Sequence, residues 1–329
     1  MNLVRWKWAM RAGSWCALFL SAVVMIWSGA ACAQAPQAKT QGPGFYRIML
    51  GKFEVTALLD GTHPFPIDTV VEGVSKAEIQ RDLDRDFLQK PVQGSINAYL
   101  VNTGSRLILI DSGAGVLYGD CCGKLLANLR AAGYQPEQVD EVLLTHMHKD
   151  HVGGVNLKGT MTFPNATVRV SQVDADYWLS PANKSKAPPF VGTFFDDAAS
   201  SVAPYIAAGR FKPFSGDAEL EPGIRAVALP GHTPGHTGYL LESDSKDLLA
   251  WGDIIHVAAI QLQNPNASIE YDSDAAAAKR SRQTVLALAA SKGYLIAAAH
   301  ISFPGLGHVR RNGNTYDWIP VNYEAAPGQ

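Results

Sequence analysis

The sequence predicts an α/β protein in which two mixed sheets pack face to face and helices cover their outer surfaces. Strands occur in pairs joined by short turns, and helices alternate with these pairs in both halves of the chain. The 329 residues suffice for one large α/β domain with a substantial core. Hydrophobic residues make up 47% and charged residues 18%, a balance that excludes a disordered or fibrous chain.

The first 33 residues have the order of a secretory signal. Arg5, Lys7 and Arg11 precede an apolar run over 15–27, and small residues follow up to Ala33. This run is shorter than the roughly 20 residues that span a bilayer. We therefore predict cleavage after Ala33, no lasting membrane span, and a periplasmic or secreted mature protein. Cleavage after Ala31, with a lipid on Cys32, is the alternative.

Cleavage would change both the charge and the cysteine content. Lys and Arg would fall from 28 to 25 against 30 acidic residues, which moves the formal net charge from −2 to −5 and disfavours nucleic acid as a partner. Only Cys121 and Cys122 would remain, as two packed thiols or a strained adjacent disulfide. Adjacent cysteines cannot link distant parts of a fold, so stability must come from the core. The sequence is compatible with either a monomer or a homodimer.

The predicted elements begin after a flexible leader over 34–44, which is rich in Gln, Pro, Ala and Gly. One folded domain is expected to span 45–329. Its predicted elements, read from hydrophobic periodicity, are hairpins over 46–59 and 96–110, a helix over 124–132, strands over 139–144 and 168–170, helices over 173–179 and 194–208, a strand over 224–229, a hairpin over 238–251, a helix over 275–290 and a strand over 294–298.

A dense group of metal-ligand residues follows the predicted strand over 139–144. Three imidazoles and one carboxylate lie within six residues, as His146, His148, Asp150 and His151. Four ionisable groups are costly to bury without partners, so a core role is a poor explanation. Zinc-class ions favour this mixture of nitrogen and oxygen ligands.

Three further ligand residues follow predicted strands later in the chain. They are His232 in the loop 231–236, Asp253 just beyond the hairpin over 238–251, and His300 after the strand over 294–298. Asp253 is placed to bridge two ions. The sequence thus assigns His146, His148, His232 and Asp253 to one ion, and Asp150, His151, His300 and Asp253 to the other.

These motifs resemble those of the metallo-β-lactamase superfamily, which has an H-x-H-x-D-H segment, a downstream histidine, a bridging aspartate and a final histidine. The resemblance covers essentially the whole mature chain and implies the αβ/βα sandwich and two divalent ions, with Zn²⁺ favoured. Flavo-diiron relatives usually carry a carboxylate where His148 stands, and true lactamases generally lack the equivalent of Asp253. These departures favour a hydrolytic two-metal site over iron redox chemistry or antibiotic hydrolysis.

Within the superfamily the chain resembles the methyl parathion hydrolase and dihydrocoumarin hydrolase group. The similarity lies in the exported leader and in the segments 133–140, 211–216 and 302–305. It implies substrate-binding roles for Tyr118, Trp178, Phe194, His256, Ile269 and Tyr271, although the three aromatic residues from Tyr118 to Phe194 could instead be core residues. Histidine at position 256 resembles the lactone and aryl ester hydrolases of the group, whereas its parathion hydrolases carry leucine.

Such sites hold two ions about 3.5–4 Å apart, and a hydroxide bridging them is the expected nucleophile. Asp253 could move the proton of that hydroxide, and His256 could donate to the leaving oxygen or simply pack in the pocket. Asp111 is expected to orient a ligand imidazole, with an ordinary turn carboxylate as the alternative, and His236 is expected to support the site rather than bind metal. His63 and His308 receive no role.

The sequence therefore predicts a dinuclear metallohydrolase whose partner is a small lactone or aryl ester. The first alternative is a phosphotriester hydrolase, which would use the same hydroxide on phosphorus. An iron-dependent sulfur dioxygenase would need one iron, and a non-enzymatic metal-binding module would lack a substrate cleft.

Overall fold

The structure, a computed structural model, describes residues 35–325, so the predicted signal at 1–33 lies outside the described residues. Residues 35–40 form no regular secondary structure, and the described strands and helices lie between Phe45 and Pro320. Over the described range, no helix combines the length and the hydrophobicity needed to cross a membrane.

Two large mixed sheets form the centre of the fold. The first has the order β1-β2-β4-β5-β6-β9, with β1 Phe45–Leu50, β2 Phe53–Phe65, β4 Val92–Asn102, β5 Leu107–Ile110, β6 Glu141–Leu143 and β9 Thr167–Arg169. The second has the order β10-β11-β12-β13-β15-β16-β17, with β10 Glu219–Glu221, β11 Ile224–Ala228, β12 Thr237–Ser243, β13 Lys246–Ala250, β15 Leu295–Ala297, β16 Leu306–Asn312 and β17 Thr315–Pro320.

Two short strand pairs and nine described helices complete the set. The pairs are β3 Val71–Glu72 with β14 Ser268–Ile269, and β7 Asn156–Leu157 with β8 Thr160–Met161. The helices are α1 Ile67–Val70, α2 Lys76–Arg85, α3 Leu125–Ala131, α4 Lys149–Val152, α5 Gln172–Trp178, α6 Pro181–Lys184, α7 Pro189–Ala207, α8 Ala258–Gln261 and α9 Ala275–Lys292.

The alternating direction of the side chains along β5 explains why the first sheet is covered on both faces. Leu107 and Leu109 face a cluster shared with α3, α5 and α7, whereas Ile108 faces a second cluster that joins the two sheets. Successive side chains of a strand point to opposite faces, so an all-apolar strand must be covered on both. Full burial of one such leucine contributes about 1.5–3 kcal/mol. The result is the predicted αβ/βα sandwich, which is confirmed.

The outer face of the second sheet is covered by α9. Val285, Leu286 and Ala289 of this helix pack with Leu249 and Ile296 of the sheet. The helix begins at an N-cap in which the Asp274 carboxylate accepts from a backbone N–H, and it ends at a glycine in the left-handed conformation. α9 is therefore held by both its ends and its buried face.

Some elements differ from the sequence prediction. β2 continues past Leu59 to Phe65 through a bulge, and α7 starts at Pro189, five residues before the predicted Phe194. The capped helix α2 and the terminal hairpin β16–β17 were not predicted. Charged residues dominate α2, and arginine and asparagine interrupt the apolar alternation of β16, so hydrophobic periodicity was a weak signal in both.

Candidate metal centre

The candidate ligands lie on loops and on the short helix α4, at one edge of the sandwich. β5 and β6 are parallel, and so are β13 and β15, so the loops after each pair leave the sheets at the same end. β11 and β13 both run antiparallel to β12, which puts the loop after β11 at that end as well. Sheet direction alone thus gathers ligands that are far apart in sequence.

Four of the predicted ligands form a first group, made of His146, His148, His232 and Asp253. One ligand atom from each lies within 4.8 Å of the others, and all four residues are buried. His148 Nδ1 and His232 Nε2 are 3.0 Å apart, and His232 Nε2 is 3.2 Å from Asp253 Oδ2. Two nitrogens bound at 2.0–2.1 Å to one tetrahedral ion stand about 3.3 Å apart, so these spacings suit a shared cation.

Asp150, His151 and His300 form a second group within the same distance limit. Asp253 contacts this group too, since its Oδ1 is 3.1 Å from His151 Nε2 and its Oδ2 is 3.2 Å from His300 Nε2. Asp253 therefore lies between the two groups, as the sequence predicted for a bridging ligand.

Several inward atoms of the cluster make no hydrogen bond within the described part of the chain. His146 Nε2, His151 Nε2 and Asp253 Oδ1 are buried and form no hydrogen bond with any described residue. Each such group left unpaired costs about 1–3 kcal/mol. Divalent cations would satisfy these nitrogen and oxygen atoms together, so the donor set fits the ions that the sequence implies.

Within the described part of the chain, the outward ring nitrogen of each ligand histidine except His148 has a partner. His151 Nδ1 is 2.9 Å from Asp111 Oδ2, and His232 Nδ1 is 2.9 Å from Asp272 Oδ1. His300 Nδ1 lies 2.9 Å from the Ser95 carbonyl oxygen, and Thr145 Oγ1 lies 3.0 Å from His146 Nδ1. A donated Nδ1–H leaves the Nε2 lone pair pointing inward, so these partners select the metal-binding tautomer.

His236 supports the metal centre through two hydrogen bonds to the backbone. Its Nδ1 donates to the Leu229 carbonyl oxygen at 3.0 Å, and its Nε2 accepts from the Asp253 backbone N–H at 2.9 Å. Both ring nitrogens are thereby used, which leaves none for a cation. This placement matches the supporting role predicted for His236.

Two carboxylates of the site were missed by sequence reasoning. Asp272 orients His232, and buried Asp174 accepts from the backbone N–H groups of Met147 at 3.0 Å and Gly235 at 2.9 Å. Asp174 thus ties the loop of His146 to the loop of His232. Position 235 needs glycine, because a Cβ there would come within 2.4 Å of the Asp174 backbone nitrogen. Both carboxylates are single residues with no local ligand pattern.

Electrostatics gives His146, His148 and Asp253 the protonation states that bind metal, whereas neighbouring carboxylates raise the pKa of His151, His232 and His300. Burial lowers the pKa of His146 and His148 well below the usual range, so both imidazoles are neutral. Burial opposes the charge of Asp253, but the surrounding histidines, led by His151, outweigh it and hold its pKa well below the usual range. For His232, burial is likewise outweighed by the carboxylates of Asp253 and Asp272, which raise its pKa to about 9. A cation at His232 would have to displace that proton.

A cavity of about 320 Å³ opens onto both ligand groups. Four of the predicted substrate-binding residues line it, namely Tyr118, Phe194, His256 and Tyr271. His63, for which the sequence gave no role, also lines the cavity and stacks on Tyr118 with ring centroids 4.8 Å apart. A non-enzymatic metal-binding module would lack such a cleft.

The structure places two other predicted pocket residues differently. Trp178 is 1% exposed and packs edge-on against His148, and it lines a neighbouring cleft of about 490 Å³ rather than the metal cavity. Ile269 is 2% exposed, belongs to an apolar cluster with Phe65 and lines neither cavity. Its strand pairing with β3 turns the side chain into that cluster, so direct contact with a substrate is not supported.

His256 is the polar residue of the cavity nearest to the bridging aspartate. Its Nε2 is 3.1 Å from Asp253 Oδ2, and its ring is stacked on His300 at 5.3 Å. Asp253, His256 and His300 form a third group within 4.8 Å, so His256 is placed either to act on a substrate or to bind an ion.

The carboxylates behind the ligand histidines lead to a paired prediction. We expect Asp272→Asn to weaken metal binding by about 10–100-fold through His232, and Asp111→Asn to do the same through His151. Asparagine tolerates the left-handed backbone at position 111, where φ is 58°. Competition with a chromogenic chelator measures both affinities, with exposed Asp244→Asn as the control. Wild-type affinity in both site variants would contradict the orienting roles.

Comparisons with known proteins agree with this geometry. The sequence profile described as Metallo-beta-lactamase superfamily matches residues 91–300, an interval that contains all seven candidate ligands. Among solved structures, the chain is similar to the hydrolase AbOPH in the beta lactamase superfamily, with 39% identity and a TM-score of 0.83 over 87% of this chain and 100% of that one.

Two further similarities involve lactonases. One is to AidC, a dizinc quorum-quenching lactonase solved with a product, with 27% identity and a TM-score of 0.79 over 85% of this chain and 98% of that one. The other is to an N-acyl homoserine lactonase of Bacillus cereus, 25% identical over 126 residues. That alignment covers 38% of this chain and 42% of the lactonase, so it spans less than half the length of the curated relative.

Proposed function

The chain belongs to the metallo-beta-lactamase superfamily, and on this premise we propose that it is a metal-dependent hydrolase that cleaves lactones or aryl esters at a two-metal centre. The observation that carries the proposal is the position of Asp253 between two groups of buried ligand atoms. The dizinc centre named for AidC supports zinc as the metal.

The chain supplies two ligand sets of mixed character. His146, His148 and His232 would hold one ion, Asp150, His151 and His300 the other, and Asp253 would contact both. Divalent ions bound there supply a hydroxide nucleophile near neutral pH and Lewis acidity toward a carbonyl oxygen.

Proton movement falls to Asp253 and His256. Asp253 is ionised and can accept a proton at Oδ2, which lies 3.1 Å from His256 Nε2. Burial lowers the pKa of His256, against the opposing effect of Asp253, so the imidazole is neutral and one ring nitrogen carries a hydrogen. The neutral imidazole can donate that hydrogen to the leaving oxygen of an ester, which needs a proton when the C–O bond breaks.

The cavity wall favours a flat, largely apolar substrate with an ester group. Tyr118 and Phe194 present aromatic rings, and Lys149 Nζ lies 4.5 Å from the centroid of Tyr118 and 5.7 Å from that of Phe194. Lys149 would attract the carboxylate that forms when a lactone opens. The adjoining cleft, which contains Phe190 and Val191, offers apolar surface for an acyl or aryl substituent.

The phosphotriester alternative uses the same centre and the same aromatic wall. A phosphotriester is tetrahedral before attack and needs room around phosphorus, whereas buried His256 occupies space next to the bridging aspartate. This difference favours the carbonyl substrate. Export to the periplasm or medium, and a soluble small-molecule partner, remain proposals that rest on the sequence alone.

Stepwise metal addition tests the two-metal proposal. Protein stripped with a chelator and titrated with Zn²⁺ should gain lactonase activity up to two equivalents per chain. The reason is that each of the two ligand groups must hold an ion for the reaction. Proton release during ring opening gives the rate. His308→Ala, which removes an exposed histidine on β16, should leave the end point unchanged. Full activity at one equivalent would contradict a dinuclear mechanism.

A further inference from the structure

Two adjacent thiols pack in one cluster with Tyr118, a residue that lines the metal cavity, and have no part in the proposed hydrolysis. Cys121 ends the single turn Gly119–Cys121, and Cys122 follows it. Both cysteines are free, and their Sγ atoms are 2.8 Å apart. Cys121 is half-buried and Cys122 is 8% exposed.

We propose that Cys121 and Cys122 form a disulfide-exchange site, which reacts with low-molecular-weight disulfides and closes reversibly into a Cys121–Cys122 disulfide. The two sulfur atoms are already in contact, so closure needs no movement of distant elements. This proposal is independent of the hydrolase function and of the metal ions.

The exposures of the two thiols set the order of the reaction. Half-buried Cys121 meets the disulfide first: its sulfur attacks one glutathione sulfur of glutathione disulfide, and its proton leaves with the first glutathione thiol. Burial raises the pKa of the Cys122 thiol, which makes it a poor first nucleophile. Cys122 sulfur then attacks Cys121 sulfur, and its proton leaves with the second glutathione. Two cysteines are oxidised, and one glutathione disulfide is reduced to two thiols.

The closed ring would be easy to reduce. Adjacent Cα atoms are about 3.8 Å apart across a trans peptide, below the usual 4.4–6.8 Å span of a disulfide. Disulfides outside the usual geometry store strain and return readily to thiols. The pair is therefore suited to reversible exchange rather than to permanent stabilisation.

Hydrogen bonds and close packing hold the backbone at Cys121 and in the residues that follow Cys122. The Asp60 carboxylate accepts from the backbone N–H groups of Gly123 at 3.0 Å and Leu125 at 3.1 Å. Gly61 packs so closely that a Cβ would come within 2.1 Å of the Cys121 carbonyl oxygen. Any backbone movement that accompanies formation of the Cys121–Cys122 disulfide must therefore occur before Cys121, in the turn that follows Tyr118.

Tyr118 connects this movement to the metal cavity. The Cys121 thiol donates to the Tyr118 carbonyl oxygen at 3.3 Å, and oxidation removes that hydrogen. The turn is closed by a weak bond from the Cys122 N–H to the Gly119 carbonyl oxygen at 3.4 Å. We expect oxidation to loosen the turn that carries Tyr118, whose ring lines the cavity.

Peptide mass spectrometry tests the proposal on the full chain. Cleavage after Arg106 and Lys124 yields the peptide 107–124, which contains Cys121 and Cys122 and neither of the other two cysteines. After incubation of the folded protein with glutathione disulfide, this peptide should lose the mass of two hydrogen atoms and resist alkylation. Reduced glutathione should restore both thiols. A peptide that stays reduced, or one that ends as a stable glutathione adduct, would overturn the proposal.

Single variants separate the two steps. Cys122→Ser should stop at a glutathione adduct on Cys121, and Cys121→Ser should leave Cys122 largely unreacted because it is buried. The wild-type result stands without these variants if either fails to fold. Amide hydrogen exchange over 117–122 should quicken in the oxidised wild type, and unchanged exchange there would overturn the connection to Tyr118.

Discussion

Replacing Asp253 with asparagine should lower kcat/KM for lactone hydrolysis by at least about 10³-fold, equivalent to about 4 kcal/mol of transition-state stabilisation. The reason is its position: its two oxygens lie within 3.2 Å of nitrogens from His151, His232 and His300. An amide of the same size keeps the packing but loses the negative charge that faces both ligand groups. Steady-state kinetics together with elemental analysis of the purified variant measures the effect.

Asp150→Asn is the matched control for a bridging role. Asp150 belongs to only one ligand group, with its Oδ2 3.7 Å from His151 Nε2 and 3.6 Å from His300 Nε2. The Asp150 variant should lose one ion per chain, whereas the Asp253 variant should lose affinity for both. Equal losses of metal in the two variants, with folding intact by circular dichroism, would show that Asp253 does not bridge.

His256→Leu should lower kcat/KM for lactones or aryl esters by about 10²–10⁴-fold, the range typical of removing a general acid. His256 Nε2 lies beside Asp253 Oδ2 at the cavity, and leucine can fill the space but cannot donate a hydrogen. Phosphotriester hydrolysis should hold or rise, because leucine adapts to the apolar substituents on phosphorus and no donor is needed there. The measured quantity is the ratio of the two kcat/KM values.

Two additional measurements make the His256 result specific. His256→Gln keeps an N–H donor and should recover part of the lactone rate. Metal content must match the wild type in both variants, since His256 also lies within 4.8 Å of ligand atoms of Asp253 and His300. If a variant keeps its full metal content and the ratio of lactone to phosphotriester kcat/KM is unchanged, His256 only packs in the cavity. If a variant loses an ion, His256 is a metal ligand.

Residue type and local order were sufficient to predict most of the architecture. Successive buried side chains of β5 enter the two different cores of the sandwich, and the four ligand residues over 146–151 indicated a metal centre at a strand end. His232, Asp253 and His300 could be added because each follows a strand, and strand direction brings those ends together.

The supporting interactions could not be predicted in the same way. Asp174 and Asp272 act through single hydrogen bonds to groups that are distant in sequence, and an isolated aspartate has no pattern to distinguish it from a surface residue. Ile269 illustrates the opposite case, since its resemblance to lactonases suggested the pocket but its strand pairing turns it into the core. Which face a side chain takes in a two-residue strand depends on its partner strand.

The most direct test of the proposed substrate class is one hydrolysis panel on protein whose metal content has been counted. The panel comprises an N-acyl homoserine lactone, dihydrocoumarin, an aryl ester and a dialkyl aryl phosphotriester. At two ions per chain, we expect kcat/KM for a lactone or the aryl ester to exceed that for the phosphotriester by at least about tenfold, a difference of about 1.4 kcal/mol in activation free energy. A phosphotriester hydrolysed faster than every carbonyl substrate would contradict it.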